Sequence, residues 1–412
     1  MLEIGSFRFV GRMSPPTLQR SQIRDLLALL EKGKLVDGQK KVISFTGGFP
    51  SPETFPVEDL ANCASRAIKQ MPAKSLQYGP TLGLTPFREF LADYYSQKYE
   101  IELEAGNFLI TASSQQALLL LAMAFCDQKR FALTESPTYL GAIQAFRFFG
   151  MSFLTSPLEK DGIDTNEIIW ICQEQGEKIA YIYLVPFSQN PGGVTLSKAK
   201  ARTIVQTAEN HDIPIIEDNP YCELWFDEEP EFCSFLQLAP KNVLSIHTVS
   251  KTIAAGLRIG WIIGRKDVIS KLGEVKQFVD LCTPSLNQLM VLEYMQSGEY
   301  DKHIPEIRKI YCRKRNLMLD LAEKYLPKEL VSWNKPSGGL FLWAEFQEGI
   351  NVHDLLEACI RKTPHGVAFV EGSQFCPDGR NTGARINFSY PTEEEMKIGM
   401  EVLGETIREI AS

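Results

Sequence analysis

The hydrophobic residues of the chain gather in short, nearly continuous runs, and segments with apolar residues at helical spacing separate these runs. The runs are rich in Val, Ile, Leu, Tyr and Phe, and they are Phe108–Thr111, Arg130–Thr134, Ile179–Val185, Ile213–Ile216, Asn242–His247 and Leu257–Gly264. Strands that are apolar on both faces and are joined by helical crossovers form mostly parallel sheets covered by helices. The pattern therefore predicts an α/β fold, in which ligands bind beyond the carboxyl ends of the strands.

The two ends of the chain have a different texture. Near the N-terminus, Ser21 fits a helix N-cap and the apolar residues that follow repeat at helical spacing, before a short predicted strand at Val42–Phe45. Beyond about residue 290, a long helical region is followed by short strand-like segments of α+β type. We therefore expect three parts: residues 1–45 as an N-terminal arm that packs with a small domain, residues 46–290 as a large domain, and residues 291–412 as the small domain.

Composition excludes several classes of partner. The 412 residues carry a net charge of -8, which argues against nucleic acid or an anionic membrane as the main partner. The nine cysteines include no C-x-x-C pair and the five histidines are dispersed, so neither a disulfide framework nor a metal site is indicated. The N-terminus lacks the features of a signal peptide, and the longest uncharged apolar stretch, Ala117–Cys126, is shorter than the about 20 residues that span a bilayer. We expect a soluble, cytoplasmic protein.

Candidate chemistry is concentrated around Lys251, which lies shortly after the run that ends at His247. A lysine amine condenses with an aldehyde to a Schiff base when its surroundings favour the neutral amine. Thr248, Ser250 and Arg258 offer hydroxyl and guanidinium donors that suit a phosphate dianion. An aldehyde and a phosphate together describe pyridoxal 5′-phosphate (PLP). For this motif alone, the alternative is a surface lysine after a buried strand.

Other polar or glycine-rich segments also lie where predicted strands end. Gly47–Gly48 belongs to an irregular loop that lets the backbone approach a ligand closely. Small residues at 112–114 precede an apolar helix, whose first N–H groups form an anion site. Asn190 and Asp218 follow two further strands. Each segment alone is equally compatible with a plain connector or ordinary capping, but together they indicate one binding site.

These motifs resemble those of the fold-type I PLP enzymes, and specifically of the class I and II aminotransferases. The shared motifs are S-x-I-R-D-L-L, GGxPxPxxFP, SQQAL, SPTYLGAIQAFR, QNPxG, EDxxY, SKT-x4-LRIG, TPSLNQ and RINFSY. They extend over nearly the whole chain and are closest to the branch that contains 2-aminoadipate aminotransferases. The resemblance implies a large domain with a mostly parallel seven-stranded sheet, a smaller α+β domain, PLP as the cofactor and a homodimer with shared active sites.

The resemblance also implies a role for each candidate cofactor residue. Lys251 forms the Schiff base and then acts as general base for the Cα proton, and Asp218 keeps the pyridine nitrogen protonated. Tyr221 and Asn190 bind the O3′ atom of the cofactor, and Tyr139 stacks on its ring unless it is a core aromatic. The phosphate lies on the backbone N–H groups of Ser113, Ser114 and Gln115, with Thr248, Ser250 and Arg258 around it, and Tyr78 reaches it from the neighbouring subunit.

A second group of residues is implied in substrate binding. Arg385 binds the α-carboxylate with help from Asn190, Gly47 and Gly48, although a structural ion pair is the alternative for this arginine. Arg24, on the N-terminal helix, meets the side-chain carboxylate of acidic substrates unless it is a solvated helix charge. We therefore expect transfer of an amino group between an L-amino acid (2-aminoadipate, aromatic or branched-chain) and a 2-oxo acid such as 2-oxoglutarate.

Departures from the branch leave the substrate open. Ser113 stands where glycine is usual, Gly192 replaces a usual threonine, Asn219–Pro220 follows the aspartate, and an insertion lies around residues 31–40. Another PLP reaction on an amino acid, by a β-lyase, decarboxylase or oxidase, is the first alternative. The second is a transcription regulator with an aminotransferase-like domain. Only about 45 residues precede Gly47, which is short for a DNA-binding module with its linker, so we expect an enzyme.

Overall fold

The computed structural model describes residues 2–4, 7–9, 41–232 and 234–411. The strands within these ranges, in chain order, are β1 (Leu2–Ile4), β2 (Phe7–Phe9), β3 (Lys41–Ser44), β4 (Phe108–Thr111), β5 (Phe131–Ser136), β6 (Ser152–Glu159), β7 (Gly162–Ile163), β8 (Ile179–Leu184), β9 (Ile215–Asp218), β10 (Val243–Thr248), β11 (Gly260–Ile263), β12 (Val331–Trp333), β13 (Phe341–Phe346), β14 (His365–Ala368), β15 (Val370–Glu371) and β16 (Gly383–Asn387).

Helices separate most of these strands. Within the same ranges they are α1 (Val57–Gln70), α2 (Pro72–Leu76), α3 (Thr85–Tyr99), α4 (Ser114–Phe125), α5 (Leu140–Phe148), α6 (Thr165–Gln175), α7 (Lys198–Asn210), α8 (Phe235–Leu238), α9 (Lys266–Val279), α10 (Ser285–Gln296), α11 (Glu299–Tyr325), α12 (Val352–Arg361) and α13 (Glu393–Ala411). Polar caps begin several of them: Asp164 accepts the N–H groups of Asn166 and Glu167 at the start of α6. In the described ranges, no helix has the length and apolar character needed to cross a membrane.

The large sheet has the strand order β4-β11-β10-β9-β8-β5-β6-β7. Strands β10, β9, β8, β5 and β6 pair in parallel, whereas β11 runs antiparallel to both of its neighbours. The predicted α/β fold with a mostly parallel sheet is confirmed. The sheet has eight strands rather than the expected seven. The additional strand is β7, which pairs antiparallel with β6 and, with two residues, is too short to give a periodic sequence signal.

Apolar helices cover both faces of this sheet. On one face, Leu118 of α4, Phe146 of α5 and Leu272 of α9 belong to one buried cluster with side chains of the strands. On the other face, Ile168 of α6 and Ile204 of α7 belong to a second and larger cluster. Full burial of one such aliphatic or aromatic side chain stabilises the fold by roughly 1.5–3 kcal/mol, so the sheet provides a rigid support for the loops at its edge.

A third buried cluster lies around the four-stranded sheet β12-β13-β16-β15 and the parallel pair β14-β3. The long helix α11 contributes to two clusters, because Ile304 and Tyr311 pack with the large sheet and Met318 and Leu321 pack with the small one. The small sheet carries Arg385 on β16 and so brings a residue of the C-terminal part to the edge of the large sheet. The boundary at residues 290–291 stays a prediction.

Candidate active site

A cavity of about 320 Å³ lies at the carboxyl edge of the large sheet. Its lining includes every predicted site residue except Tyr78 and Arg24. The lining residues are Gly47, Gly48, Phe49, Ser113, Ser114, Gln115, Tyr139, Leu140, Val185, Asn190, Asp218, Pro220, Tyr221, Thr248, Ser250, Lys251, Ala255, Arg258 and Arg385. The residues meet because β4, β5, β8, β9 and β10 all end at this edge, while the antiparallel β11 begins there.

Lys251 follows β10 and reaches the loop on the opposite side of the cavity. Its Nζ donates a hydrogen bond of 2.6 Å to the carbonyl oxygen of Gly48. Burial, followed by the positive charges of Arg385 and Arg258, lowers the pKa of Lys251 to about 8. A large share of this amine is therefore neutral in weakly alkaline solution, which is the form that attacks an aldehyde.

Asp218 is at the end of β9 and is buried. The hydroxyl of Tyr183 donates to its Oδ2 atom over 2.9 Å, whereas the buried Oδ1 atom has no hydrogen-bond partner among the described residues. Burial raises the pKa of Asp218 to about 7, and the hydrogen bond from Tyr183 acts in the opposite direction. Because a buried carboxylate oxygen without a partner is costly, this site fits a ligand that presents a positively charged N–H group.

Arg385 enters the cavity from β16 and is only 2% exposed. Its Nη1 donates to Oδ1 of Asn190 over 2.9 Å, and its Nη2 donates to the carbonyl of Thr46 over 2.6 Å. The guanidinium lies 4.2 Å from the ring centroid of Phe341 and 5.0 Å from that of Phe375. Two aromatic rings and two oxygen acceptors thus fix the orientation of this side chain.

The charge of Arg385 is not neutralised by an acidic side chain of the described ranges. Burial lowers its pKa to about 10, opposed by Tyr221 and Tyr139 rather than by a carboxylate. Its buried Nε atom has no hydrogen-bond partner in the described part of the chain. A buried cation with a spare donor fits an anionic ligand. The alternative predicted from the sequence, a structural ion pair of Arg385, has no acidic partner among the described residues.

Asn190 and Tyr221 lie side by side between Arg385 and Asp218. The Nδ2 atom of Asn190 donates to the Tyr221 hydroxyl over 3.5 Å. Burial raises the pKa of Tyr221, so its hydroxyl keeps its proton and stays a hydrogen-bond donor. Both side chains can therefore donate to one oxygen atom of a bound ring.

Hydroxyl and guanidinium groups occupy the other end of the cavity. Thr248 Oγ1 and Ser250 Oγ are 2.8 Å apart, and the guanidinium of Arg258 donates to the Ser113 hydroxyl. The Ser113 N–H, which was expected to donate to the phosphate, donates to the Thr111 carbonyl over 2.8 Å. The group that Ser113 offers to the cavity is therefore its hydroxyl. This group of donors fits a phosphate.

The start of α4 supplies backbone donors to the same end. Ser114 and Gln115 occupy its first positions, where N–H groups have no acceptor within the helix. Strand β11 approaches this turn so closely that a Cβ atom at Gly260 would lie 2.9 Å from the Ser114 nitrogen. Glycine at this position therefore permits the narrow cradle.

Tyr139 extends over the middle of the cavity, and its hydroxyl donates to Oε1 of Gln115 over 3.4 Å. A Cβ atom at Gly141 would lie 2.6 Å from the Tyr139 ring, so the glycine leaves room for the ring. Tyr78 has a different position: it is 79% exposed and is not among the residues that line the cavity. Arg24 lies outside the described residues.

Three polar residues support the lining from behind and were not predicted as site residues from the sequence. Besides Tyr183, these are Glu135, whose Oε1 accepts the Val185 N–H over 3.0 Å, and Gln189, which donates to the same Oε1 over 3.2 Å. Gln189 also accepts the N–H of Gly192 over 2.6 Å and so shapes the turn that carries Asn190. For Tyr183 and Glu135 the sequence signal was a phenol or a carboxyl group in an otherwise apolar strand, whereas Gln189 lies in the loop after β8.

The apolar part of the lining was also missed. Phe49, Leu140, Val185, Pro220 and Ala255 lie among the polar residues. Their hydrophobic character made them part of ordinary strands, helices and turns in the sequence, so only their position marks them as site residues.

The residues present fit PLP at each of its polar groups. Lys251 fits its aldehyde as the attacking amine, and Asp218 Oδ1, which has no partner in the described part of the chain, fits the protonated pyridine nitrogen. The donors around Thr248 and Ser114 fit its phosphate. Arg385, which no acidic side chain of the described ranges neutralises, would fit a substrate carboxylate.

Comparison with known proteins gives the family. The model of the family described as aminotransferase class I and II matches residues 40–403. The aromatic-amino-acid aminotransferase 1 of Thermococcus litoralis is 38% identical over 397 residues, which are 95% of this chain and 92% of that protein.

Two solved structures are similar over nearly the full length. The kynurenine aminotransferase of Pyrococcus horikoshii is 36% identical with a TM-score of 0.88, covering 95% of each chain. The α-aminoadipate aminotransferase of Thermus thermophilus, complexed with N-(5′-phosphopyridoxyl)-L-leucine, is 32% identical with a TM-score of 0.86, covering 95% of this chain and 96% of that one. With its fold, cavity and family match in agreement, the chain belongs to the class I and II aminotransferases and is a PLP-dependent transaminase.

Proposed function

We propose that this transaminase takes the amino group from L-amino acids with aromatic or branched apolar side chains and passes it to a 2-oxo acid such as 2-oxoglutarate. The observation that carries the site assignment is the convergence of Lys251, Asp218 and Arg385 on one cavity, where Asp218 Oδ1 and the charge of Arg385 have no partner among the residues that the structure describes. When bound, PLP supplies an aldehyde and a ring that stabilises the negative charge left at Cα after its proton is removed.

Lys251 is the proton carrier. Its amine removes the proton from the substrate Cα, and a pKa of about 8 lets it accept and release that proton near the pH of the cell. The Gly48 carbonyl holds the amine at the wall of the cavity over 2.6 Å. Tyr183 orients the Asp218 carboxylate through its hydrogen bond to Oδ2. The other oxygen of Asp218 holds a proton on the pyridine nitrogen.

The remaining cofactor residues position the ring. Asn190 and Tyr221 donate to the ring oxygen O3′, Tyr139 covers one face, and the donors at the far end bind the phosphate. These last donors are Ser113, Ser114, Gln115, Thr248, Ser250 and Arg258.

Arg385 binds the substrate α-carboxylate. Its Nη1 already contacts Asn190 and its Nη2 contacts Thr46, so the carboxylate meets a guanidinium whose orientation is fixed in advance. Such pre-orientation lowers the entropy lost on binding and holds Cα near Lys251.

The preference for the side chain of the substrate follows from the charged residues that line the described part of the cavity. Lys251, Asp218, Arg258 and Arg385 each have a task at the cofactor or the α-carboxylate, and the neighbouring lining is apolar at Phe49, Leu140 and Val185. This lining favours apolar side chains, in keeping with the name of the aromatic-amino-acid aminotransferase of Thermococcus litoralis. An acidic side chain, as in 2-aminoadipate or 2-oxoglutarate, needs a further cation, and we propose Arg24 for this part.

We also propose that Tyr78 completes the phosphate site of a second subunit in a homodimer. Its 79% exposure is high for an aromatic side chain, and a partner's cavity would give it an acceptor. Lys251→Ala and Tyr78→Ala proteins are mixed and allowed to exchange subunits. Activity should rise above that of either variant alone, because each mixed dimer has one site with both an intact Lys251 and an intact Tyr78. If activity is not restored, Tyr78 and Lys251 of one active site do not come from different subunits.

The first experiment is the visible absorption spectrum of the PLP-loaded protein before and after an amino acid is added without an oxo acid. L-phenylalanine and L-leucine should convert the aldehyde form of the cofactor into its aminated form. L-2-aminoadipate should do so in the wild type and much less in Arg24→Ala. Conversion by no amino acid would overturn the substrate proposal, and conversion by 2-aminoadipate alone would replace it with an acidic preference.

A further inference from the structure

The six-residue segment 46–51, here named the substrate loop, forms one wall of the cavity through Gly47 and Gly48. Donors from distant parts of the chain hold three of its carbonyl groups. They are Arg385 on Thr46 over 2.6 Å, Lys251 on Gly48 over 2.6 Å and Ser389 on Phe49 over 2.7 Å. The substrate loop is therefore in direct contact with both the proton carrier and the carboxylate-binding arginine.

Lys314 of α11 joins the far end of this loop to the segment after β16. Its side chain is only 6% exposed and its Nζ lies 3.3 Å from Oε1 of Glu53. The same Nζ donates to the Ser389 carbonyl over 2.7 Å, to the Pro391 carbonyl over 3.2 Å and to the Ser51 hydroxyl over 3.3 Å. A buried ammonium needs such acceptors, because an unpaired charge away from water is strongly unfavourable.

The contacts of Lys314 connect the end of the substrate loop at Ser51 with the segment after β16 at Ser389 and Pro391. Ser389 accepts from Lys314 with its carbonyl and donates to Phe49 with its hydroxyl. Ser51 receives Lys314 at its hydroxyl, and its N–H donates to Tyr311, one turn earlier on α11, over 3.1 Å. Both ends of the segment 49–51 are thus fixed to α11 or to a residue that Lys314 holds.

We propose that Lys314 is a positioning residue for substrate binding, which acts by fixing the substrate loop between α11 and the end of β16. The inference rests on the proposed role of the cavity. Lys314 does not touch the cavity, so it acts on the substrate through Gly47, Gly48 and the contacts of Arg385. Loss of its charge removes the anchor at Ser51 and the contacts with the segment after β16, so the α-carboxylate meets a wall that is held less firmly.

The test compares Lys314→Met and Lys314→Arg with the wild type in the PLP-loaded protein. Lys314→Met keeps the length and apolar stem of the side chain and removes its charge. We expect the KM of the amino donor to rise about tenfold, as for the loss of a charged hydrogen bond, while kcat and the Kd of PLP change less than about threefold. Lys314→Arg, which retains the charge, should restore most of the KM.

Lys200 provides a matched control. It lies on α7, away from the cavity, and its side chain is only 14% exposed. It forms an ion pair with Asp161 over 2.7 Å. Lys200→Met should lose a similar ion pair and keep the wild-type KM.

Two further results separate the possible outcomes. If Lys314→Met does not fold, Ser51→Ala removes the hydroxyl that accepts from Lys314, together with its own hydrogen bond to Glu53, and should raise the same KM in a folded protein. A folded Lys314→Met or Ser51→Ala protein with a lower unfolding temperature and an unchanged KM would overturn the proposal. A wild-type protein that binds PLP but converts no amino acid would contradict the proposed function, and the role of Lys314 with it.

Discussion

The hydroxyl of Tyr183 donates to Oδ2 of Asp218 over 2.9 Å, inside the protein and beneath the cavity floor. The two residues end neighbouring parallel strands, β8 and β9, which places the phenol beside the carboxylate. One oxygen of Asp218 is thereby fixed, and the other has no hydrogen-bond partner among the described residues. The orientation of this carboxylate is thus set by the sheet itself.

Replacement of Tyr183 by Phe should weaken PLP binding in a pH-dependent way. The hydrogen bond lowers the pKa of Asp218, which burial has raised to about 7, so its loss raises that pKa further. The Kd of PLP should increase on the order of tenfold near pH 7, and the difference should shrink at higher pH, where the carboxyl group is ionised in both proteins. Fluorescence titration with PLP from pH 6.5 to 9 measures this.

Tyr181→Phe is the matched control for this variant. Tyr181 is buried on the same strand, and its hydroxyl contacts Cys126 rather than Asp218. A Tyr183→Phe protein with the Kd of Tyr181→Phe at every pH would exclude a link between Tyr183 and the cofactor.

The rate of covalent PLP capture by cofactor-free protein should rise with pH around a midpoint near 8. The neutral amine is the nucleophile, and the pKa of Lys251 is lowered to about 8 by burial and by the charges of Arg385 and Arg258. In Arg385→Gln the midpoint should move to higher pH, because one positive charge is removed. Stopped-flow absorbance gives both curves; a midpoint near 10.4, the ordinary value for lysine, would contradict the lowered pKa.

Lys251→Ala should abolish covalent capture and transamination while the fold is kept. The side chain is the only covalent link that we assign to PLP, and its hydrogen bond to Gly48 is one of several that hold the substrate loop. Mass spectrometry after borohydride reduction detects the link, and circular dichroism reports the fold. Transamination at the native rate in this variant would show that the catalytic lysine is misassigned.

Arg385→Gln should lower kcat/KM for amino acids on the order of 10²-fold, since it removes a charged, bidentate contact with the α-carboxylate. The Kd of PLP should stay close to that of the wild type. Arg361→Gln, at a site where the arginine side chain is 70% exposed, serves as the control. Equal loss of PLP and substrate binding in Arg385→Gln would assign this arginine to the fold instead.

Asp218→Asn should stabilise cofactor-free protein at pH 8 and weaken its binding of PLP. The folded-state pKa of Asp218, about 7, is above its ordinary value of 3.8, so the folded protein binds more protons and loses stability as pH rises from about 4 to about 7. The neutral amide avoids this loss. Calorimetry should therefore show a higher Tm for Asp218→Asn at pH 8 and a much smaller difference at pH 4.

The sequence was informative where chemistry and pattern coincide. Runs such as Ile179–Val185 are apolar on both faces, a property that a central parallel strand requires, and the predicted sheet follows from them. Lys251, Asp218 and Arg385 were found because the family motifs preserve rare combinations of residue types. The two-residue β7 had no such signal, and the predicted N-terminal helix with Arg24 lies outside the described residues.

By itself, the sequence determined the fold class, the family, the cofactor and the residues with distinctive chemistry, because each depends on local pattern or on residue identity. Only the tertiary structure decided which groups become partners. Tyr183 and Glu135 are unremarkable members of apolar strands until parallel pairing brings them behind the cavity. Lys314 is one of many helix lysines until α11, the substrate loop and the end of β16 meet around it. Burial and contact arise between segments far apart in the chain, so no local pattern encodes them.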